Sequence, residues 1–409
     1  MGERDTETVG LERTKQLGSK NEESIMKTQP FQINVSQTVL DDLRERLART
    51  RWPDEVEGAG WDYGSSLGYM KELTAYWQDG FDWRKQEAAL NGFAHFKTEI
   101  DGFRIHFIHE KGKGPNPTPL LLLHGWPDSF YRFYKIIPML IDPEKYGGKA
   151  EDSFDVIVPS LPGFGFSEHS LARGGVDSSE IFMRLMTDVL GYERFGIQGG
   201  DGGSPIAQFM ANAHPEAVAG VHLTDLGWNN VLTADAPNLS PAEHEYLKTL
   251  EQSSFTEGAY VMIQGTKPQT LAYGLNDSPV ALAAWIIEKF RAWSDCDGNV
   301  EVKFSKDELL TNVMIYWATQ TINSSIRGYY DGMHRQWNEE TQDESAQNNK
   351  VPVGMAIFPK DNPPPRVTAE RFLNVRRFTE MPTGGHFAAL EEPELLVNDL
   401  RAFYKQIRQ

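Results

Sequence analysis

Asp201 lies between two pairs of glycines, because residues 199–203 read GGDGG. A short apolar run precedes this stretch, and an apolar, helix-like run at 206–213 follows it. This order predicts a strand, a sharp turn and a helix, since glycine permits backbone geometry that a Cβ would oppose. A carboxylate at the apex of such a turn can attack carbon and form an ester. A glycine-rich turn with an incidental aspartate is the alternative, because both residues are common in turns.

The stretch matches the nucleophile elbow of α/β-hydrolases, which usually reads G-x-S-x-G, with aspartate in place of serine. In that plan, one N–H of the oxyanion hole comes from the residue after the nucleophile and another from a loop after an earlier strand. The run Thr118–Leu123 is followed directly by HGWP at 124–127. We therefore assign the oxyanion hole to the backbone N–H groups of Trp126 and Gly202, against the alternative of an ordinary turn after a strand.

His386 follows two glycines, after the last strand candidate and before the C-terminal helix. The hydrolase plan places its catalytic histidine in that loop, and an acid earlier in the chain orients the ring. Asp361 follows the strand candidate Val351–Phe358 and is the favoured acid. Asp225, at the end of the preceding strand candidate, is the competitor.

The elements that must position these residues alternate between apolar strand candidates and segments of helical length. This alternation predicts an α/β fold, the α/β-hydrolase fold, with a mostly parallel central sheet and helices on both faces. Ligands of such sheets bind at the carboxyl ends of the strands. A helical segment after the sixth strand candidate interrupts the pattern and predicts a lid. The expected organisation is a flexible polar arm at 1–28, an N-terminal meander at 29–97, the first part of the core at 98–226, a helical lid at 227–349 and the second part of the core at 350–409.

The chain has 409 residues and a formal charge of −18, with 58 acidic and 40 basic residues. This charge argues against nucleic acid as a partner, because phosphates would be repelled. The single cysteine, Cys296, excludes an intrachain disulfide. No signal peptide and no run of about 20 apolar residues is seen, so we expect no membrane span and a cytoplasmic location.

Motifs for cofactors and metals are absent from the sequence. GFGFSE at 163–168 lacks the third glycine of a dinucleotide-binding fingerprint. His106 and His109 are three residues apart on a strand candidate, so their side chains face opposite ways and cannot share a metal. We expect neither a cofactor nor a metal.

Six motifs together resemble the epoxide hydrolases of the α/β-hydrolase fold, in their microsomal-type branch with an N-terminal meander. The resemblance extends from about Phe31 to Arg408. The membrane-bound members of the family carry an N-terminal hydrophobic anchor, which is not seen in this sequence. The chain is therefore more similar to the soluble fungal and bacterial members. The motifs are HGWP, LPGFGFS, GGDGG, TKPQTLAYGLNDSPVALAAWIIEKF, TNVMIYW and GGHFAALEEPELL.

The resemblance implies that Asp201 attacks an epoxide carbon while two lid tyrosines donate hydrogen bonds to the oxygen. Water activated by His386, with Asp361 stabilising the imidazolium, then hydrolyses the ester. The family pattern places the tyrosines at Tyr260 and Tyr329, and a slip of one residue would exchange Tyr329 for Tyr330. Tyrosine suits this role because its ordinary pKa of about 10 keeps it protonated at neutral pH.

Two other functions compete with epoxide hydrolysis. A haloalkane dehalogenase shares the aspartate and the ester, but typically has Trp or Arg where this chain has Gly202. A non-catalytic ligand-binding protein usually lacks one member of the triad. We expect a small hydrophobic epoxide, aryl or alkyl, and water as the reactants, and we leave a homodimer open. The residues expected to form the wall of an aromatic pocket are Trp126, Phe130, Trp228 and Phe255.

Overall fold

A computed structural model describes residues 28–172, 174–334 and 350–408. Residues 1–27 of the predicted arm and residues 335–349 at the end of the predicted lid lie outside them. The strands are β1 (Gln29–Phe31), β2 (His95–Ile100), β3 (Phe103–Glu110), β4 (Thr118–Leu123), β5 (Phe154–Pro159), β6 (Phe195–Gly199), β7 (Val218–Leu223), β8 (Val353–Ile357) and β9 (Val375–Glu380).

Helices cover both faces of the sheet and fill the segment between β7 and β8. The α-helices are α1 (Gln37–Ala48), α2 (Leu67–Asp79), α3 (Trp83–Leu90), α4 (Ile136–Ile141), α5 (Ser178–Arg184), α6 (Gly203–Ala213), α7 (Pro241–Glu257), α8 (Ala259–Thr266), α9 (Pro268–Leu275), α10 (Pro279–Trp293), α11 (Lys306–Thr319), α12 (Ile322–His334), α13 (Arg366–Phe372), α14 (Ala388–Glu391) and α15 (Pro393–Arg408). Short 3₁₀ or π segments are Phe130–Phe133, Pro143–Tyr146, Ala150–Asp152, Leu185–Val189 and Val300–Val302.

The strands form one sheet in the order β1-β2-β3-β5-β4-β6-β7-β8-β9. In this order, β1, β2, β3 and β5 pair antiparallel with their neighbours. The neighbours from β5 through β4 and β6 to β9 pair parallel. This arrangement confirms the predicted fold class. The chain runs from β4 outward to β5 and then returns to place β6 on the other side of β4, a reversal at which α/β sheets bind ligands.

Strand register brings the ends of the central strands together. Leu123 of β4 pairs with Gly199 of β6, and Gly199 pairs with Leu223 of β7. The loops that follow these strands therefore leave the sheet at the same edge. The next loops along this edge follow β8 and β9, which pair in parallel from Val353 to Ile357.

Capping and apolar periodicity explain the helices that matter for the site. Ser278 caps α10 by accepting a hydrogen bond from the N–H of Ala281, and Pro279 occupies the first turn. The buried face of α10 includes Leu282, Ile286 and Phe290, at helical spacing. This face fixes the rotation of α10 about its axis, and therefore which residues of its last turn point towards the sheet.

The alternation of apolar and polar residues at 31–35 predicts a short strand, and the Trp- and Gly-rich stretch at 51–84 predicts an irregular segment. Both predictions were wrong, as was the number of strands before the helical insertion. The expected strand over 31–35 is limited to β1, because the N–H groups of Ile33 and Val35 bond to side chains of Asn91 and Glu87 instead of a strand. The segment expected to be irregular contains α2 and the start of α3, and each of these helices is capped by a side chain. β2 was missed, so the helical insertion follows the seventh strand and not the sixth.

Candidate active site

The turn between β6 and α6 holds Asp201 in a left-handed backbone conformation, with φ of 54°. Aspartate tolerates this region better than most residues. Its backbone N–H donates to Asp225 Oδ2 at 2.7 Å, and this bond fixes the turn from the end of β7. The Asp201 side chain is 18% exposed at the carboxyl edge of the sheet.

The glycines around Asp201 allow neighbouring segments of the chain to approach one another closely. A Cβ on Gly203 would lie 2.2 Å from the carbonyl oxygen of Leu123, and a Cβ on Gly125 would lie 2.0 Å from Asp201 Oδ1. Neither glycine has a positive φ. The positive φ of the turn is on Asp201 itself, so the glycines let the loop after β4 touch the carboxylate.

Two backbone N–H groups converge on one oxygen of the Asp201 carboxylate. The N–H groups of Trp126 and Gly202 donate to Oδ1, over 2.9 Å and 2.6 Å. These are the two groups that the sequence assigned to an oxyanion hole. The arrangement leaves Oδ2 as the oxygen that can attack a substrate.

His386 faces that second oxygen. Its Nε2 lies 3.4 Å from Asp201 Oδ2, an ion-pair distance without an aligned hydrogen bond. Its Nδ1 lies 3.0 Å from Asp361 Oδ1, and its side chain is 9% exposed. Of the two candidate acids, Asp361 therefore contacts the imidazole, whereas Asp225 is bonded to the N–H groups of Asp201 and Gly227.

Burial and charge act in opposite directions on these groups. Burial disfavours the charged form of Asp201, but its close contact with the positive charge of His386 and the two N–H bonds outweigh burial and hold its pKa below the ordinary value. Burial alone would lower the pKa of His386, yet the negative charges of Asp361 and Asp201 raise it well above the ordinary value. Burial, with the nearby charge of Asp361, raises the pKa of Asp225 to about 6.

The lid places two tyrosines over Trp126. The ring of Tyr260, from α8, stacks on the Trp126 ring at 5.3 Å with an angle of 12°, and the ring of Tyr329, from α12, meets it edge-on at 6.1 Å. Burial raises the pKa of both phenols well above the ordinary value. Tyr330 is 40% exposed and stacks on His334, away from Trp126.

Two further residues at the site were missed from the sequence. Trp293, at the end of α10, packs its ring 5.1 Å from that of Tyr260 and 5.2 Å from that of His386. Arg132 is 1% exposed, pairs with Asp128, and donates from Nη2 to the carbonyl oxygen of His386 at 2.6 Å. Their contacts with His386 join distant parts of the chain, so no local sequence pattern marks these contacts.

Three of the four predicted pocket residues lie elsewhere. Phe130 is buried among other rings, 5.1 Å from that of His106. Trp228 is 55% exposed with its ring near Phe209, and Phe255 is 91% exposed. Of the four, only Trp126 contacts the rings of Tyr260, Tyr329 and Trp293, because Trp228 and Phe255 are directed outward.

Within the described ranges, no group of three or more His, Cys, Asp and Glu side chains could hold a metal ion. His106 bonds to His95 and Ser160, whereas His109 bonds to Tyr192. The helices of residues 28–172, 174–334 and 350–408 include none that is long and apolar enough to cross a membrane.

Comparison with known proteins identifies the family. Residues 28–133 match the model described as epoxide hydrolase N terminus, and residues 118–253 match the α/β-hydrolase fold. Epoxide hydrolase 1 of Sus scrofa is 40% identical over 407 residues, which cover 93% of this chain and 89% of that protein.

Solved structures agree with the sequence comparison. Juvenile hormone epoxide hydrolase of the silkworm Bombyx mori superposes with a TM-score of 0.84 at 30% identity, covering 94% of this chain and 95% of that one. Aspergillus niger epoxide hydrolase superposes with a TM-score of 0.79 at 32% identity, covering 94% and 97%. By these similarities and by its fold, the chain belongs to the epoxide hydrolases of the α/β-hydrolase fold.

Proposed function

We propose that this protein converts epoxides to vicinal diols through a covalent ester on Asp201. One observation carries the proposal: the two oxygens of the Asp201 carboxylate have different surroundings. Oδ1 accepts two backbone N–H bonds, while Oδ2 faces His386 at 3.4 Å. One oxygen is thereby stabilised for negative charge and the other is directed at the reacting carbon.

In the first step, Oδ2 attacks an epoxide carbon and the bond from that carbon to the ring oxygen breaks. Tyr260 and Tyr329 donate hydrogen bonds to this oxygen, and one of them passes it a proton. Their raised pKa values keep both phenols protonated at neutral pH, so each enters the step as a donor. The product is an alkyl ester of Asp201 with a neighbouring hydroxyl.

In the second step, water attacks Cγ of the ester and His386 Nε2 takes its proton. Asp361 holds the other nitrogen of the ring and stabilises the imidazolium. Oδ1 becomes the oxyanion and remains bonded to the N–H groups of Trp126 and Gly202. The bond from Cγ to Oδ2 then breaks as the remaining proton of the water passes to Oδ2. The diol therefore leaves with Oδ2, and the oxygen from water stays on the ionised Asp201.

Aromatic rings around Asp201 support a hydrophobic substrate, aryl or alkyl. Trp126, Tyr260, Tyr329 and Trp293 have neighbouring ring centroids within 6.4 Å of one another. Such walls suit an apolar ligand with few polar groups for orientation. We propose styrene oxide as the test substrate for this class.

The proposal is tested by rapid quench with styrene oxide, followed by mass spectrometry of peptides and by measurement of diol. We expect a transient mass increase of one substrate on the peptide that contains Asp201, together with diol formation. Halide release from haloalkanes without diol formation would instead indicate a dehalogenase. Diol formation with the adduct on a different residue would contradict the assigned nucleophile.

Replacing Tyr260 or Tyr329 with phenylalanine is expected to slow ester formation by about 10²-fold, the typical effect of removing one hydrogen-bond donor to developing charge. Ester hydrolysis should change little, because the phenols act on the epoxide oxygen. Tyr330→Phe is the matched control, since this side chain stacks on His334 away from the site. A large effect of Tyr330→Phe with a small effect of Tyr329→Phe would exchange the two assignments.

A further inference from the structure

Lys289 of α10 is a lysine buried in the lid, with 6% of its surface exposed. Lysine is almost never fully buried unless it is paired. The ammonium nitrogen lies 2.8 Å from Glu288 Oε2 and 3.1 Å from Glu257 Oε2. Two carboxylates therefore compensate the charge and fix the position of the ammonium group.

The same ammonium lies over two aromatic rings of the site. Nζ is 5.2 Å from the centroid of the Tyr260 ring and 5.5 Å from that of Trp293. These distances are within the range in which a cation is attracted to the electron-rich face of a ring. The Tyr260 ring also stacks nearly parallel to Trp126, so the lid and the loop after β4 both constrain its plane.

We propose that Lys289 is a positioning residue for epoxide ring opening, which acts by holding the ring of Tyr260 against Trp126. This inference rests on the proposed role of Tyr260 as a donor to the epoxide oxygen. A rigid phenol can donate to a developing alkoxide without first reorienting, and small displacements of such groups reduce rates strongly.

Chain connectivity supports positioning by Lys289. Glu257 is the last residue of α7 and lies three residues before Tyr260, so its ion pair with Lys289 ties this junction to α10. One turn further along α10, Trp293 contacts the rings of Tyr260 and His386, and its carbonyl oxygen accepts the N–H of His386 at 2.8 Å. The end of α10 thereby sets the proposed acid relative to the proposed base.

The charge of Lys289 is a weaker explanation than its position. Two carboxylates within 3.1 Å offset the ammonium, and the charge of Glu257 contributes to the raised pKa of Tyr260. A lysine that served to ionise the phenol would oppose its role as a proton donor. The neutral, raised-pKa phenol instead needs a fixed orientation, which the cation over its ring provides.

The test measures the two chemical steps separately in Lys289→Met and Lys289→Arg, by rapid quench with styrene oxide. Lys289→Met should slow ester formation by about 10-fold, the effect of losing a desolvated cation–π contact, while ester hydrolysis stays within about twofold. Lys289→Arg should restore most of the rate, because guanidinium also pairs with carboxylates and stacks on rings. In a Tyr260→Phe background, Lys289→Met should have no further effect on ester formation.

Lys306→Met is the matched structural control. The Lys306 side chain is 19% exposed and, like that of Lys289, pairs with two carboxylates, those of Glu72 and Glu301, but it does not lie over Tyr260. We expect this variant to leave both steps unchanged. Thermal unfolding of all variants separates loss of fold from loss of alignment.

Three outcomes would overturn the inference: equal slowing of both steps in Lys289→Met, an undiminished effect in the Tyr260→Phe background, or no effect on ester formation. If Lys289→Met does not fold, the same measurements of ester formation and ester hydrolysis are made on Lys289→Arg and on its double variant with Tyr260→Phe, with the same expectations. Absence of any ester on Asp201 in the unsubstituted protein would instead contradict the proposed function, so the two failures are distinguishable.

Discussion

Asp201→Asn should reduce diol formation by about 10⁴-fold or more, as removal of a covalent nucleophile does in other enzymes. The amide oxygen can still accept the N–H bonds of Trp126 and Gly202, but the amide group cannot form the ester. Asparagine also tolerates the positive φ of this position, whereas alanine would add backbone strain. The variant should therefore fold and bind substrate, and no adduct should appear on its peptide.

The control for this variant is Asp101→Asn, the same substitution at a residue with φ of 51° in an exposed turn. Asp101 pairs with Arg184 at the surface, where an ion pair contributes little to stability. The diol-forming activity of Asp101→Asn should equal that of the unsubstituted protein. Undiminished diol formation in purified Asp201→Asn, with an intact mass that excludes deamidation, would refute covalent catalysis by this residue.

His386→Gln should separate the two steps. Glutamine cannot take a proton from water, so we expect diol turnover to fall by about 10⁴-fold, the upper end of the typical contribution of a positioned general base. Ester formation does not require a base, and the adduct on Asp201 should therefore accumulate to one per protein. Intact mass spectrometry after mixing with styrene oxide measures this accumulation directly.

His244→Gln is the matched control, because His244 is an exposed residue of α7. It should form diol at the normal rate and accumulate no adduct. Normal turnover of His386→Gln would exclude this histidine as the base. Lost turnover without any adduct in a folded His386→Gln protein would show that the histidine is needed before the ester forms.

The backbone part of the candidate site could be predicted from the sequence, because it depends on strand ends. Apolar runs that end in HGWP and GGDGG predict two parallel strands, and neighbouring parallel strands end at the same edge. The register of Leu123 with Gly199 then places Trp126 beside Asp201. The fold class and the family were predicted from these same motifs, and both predictions were confirmed.

The contacts between distant segments could not be predicted. Arg132 reaches the carbonyl oxygen of His386 across 254 residues of sequence, and no local pattern marks such a bond. The sequence also does not state which face of a lid helix points inward when several faces are apolar. Phe255 was therefore assigned to the pocket although it is exposed, while Trp293 and Lys289 were overlooked.

Because Asp201 and His386 influence each other's pKa, the protons that are donated and taken up in the proposed cycle balance within the site. Burial disfavours a charged imidazole, but the negative charges of Asp361 and Asp201 raise the pKa of His386 well above its ordinary value and thereby favour the imidazolium in the resting site. Esterification removes the charge of Asp201, which lowers the affinity of the imidazole for its proton, so His386 can return a proton to the tyrosine that gave one to the epoxide oxygen. Water returns a proton to the imidazole in the second step. One proton thus circulates within the site, and each turnover leaves the pH of the surrounding solution unchanged.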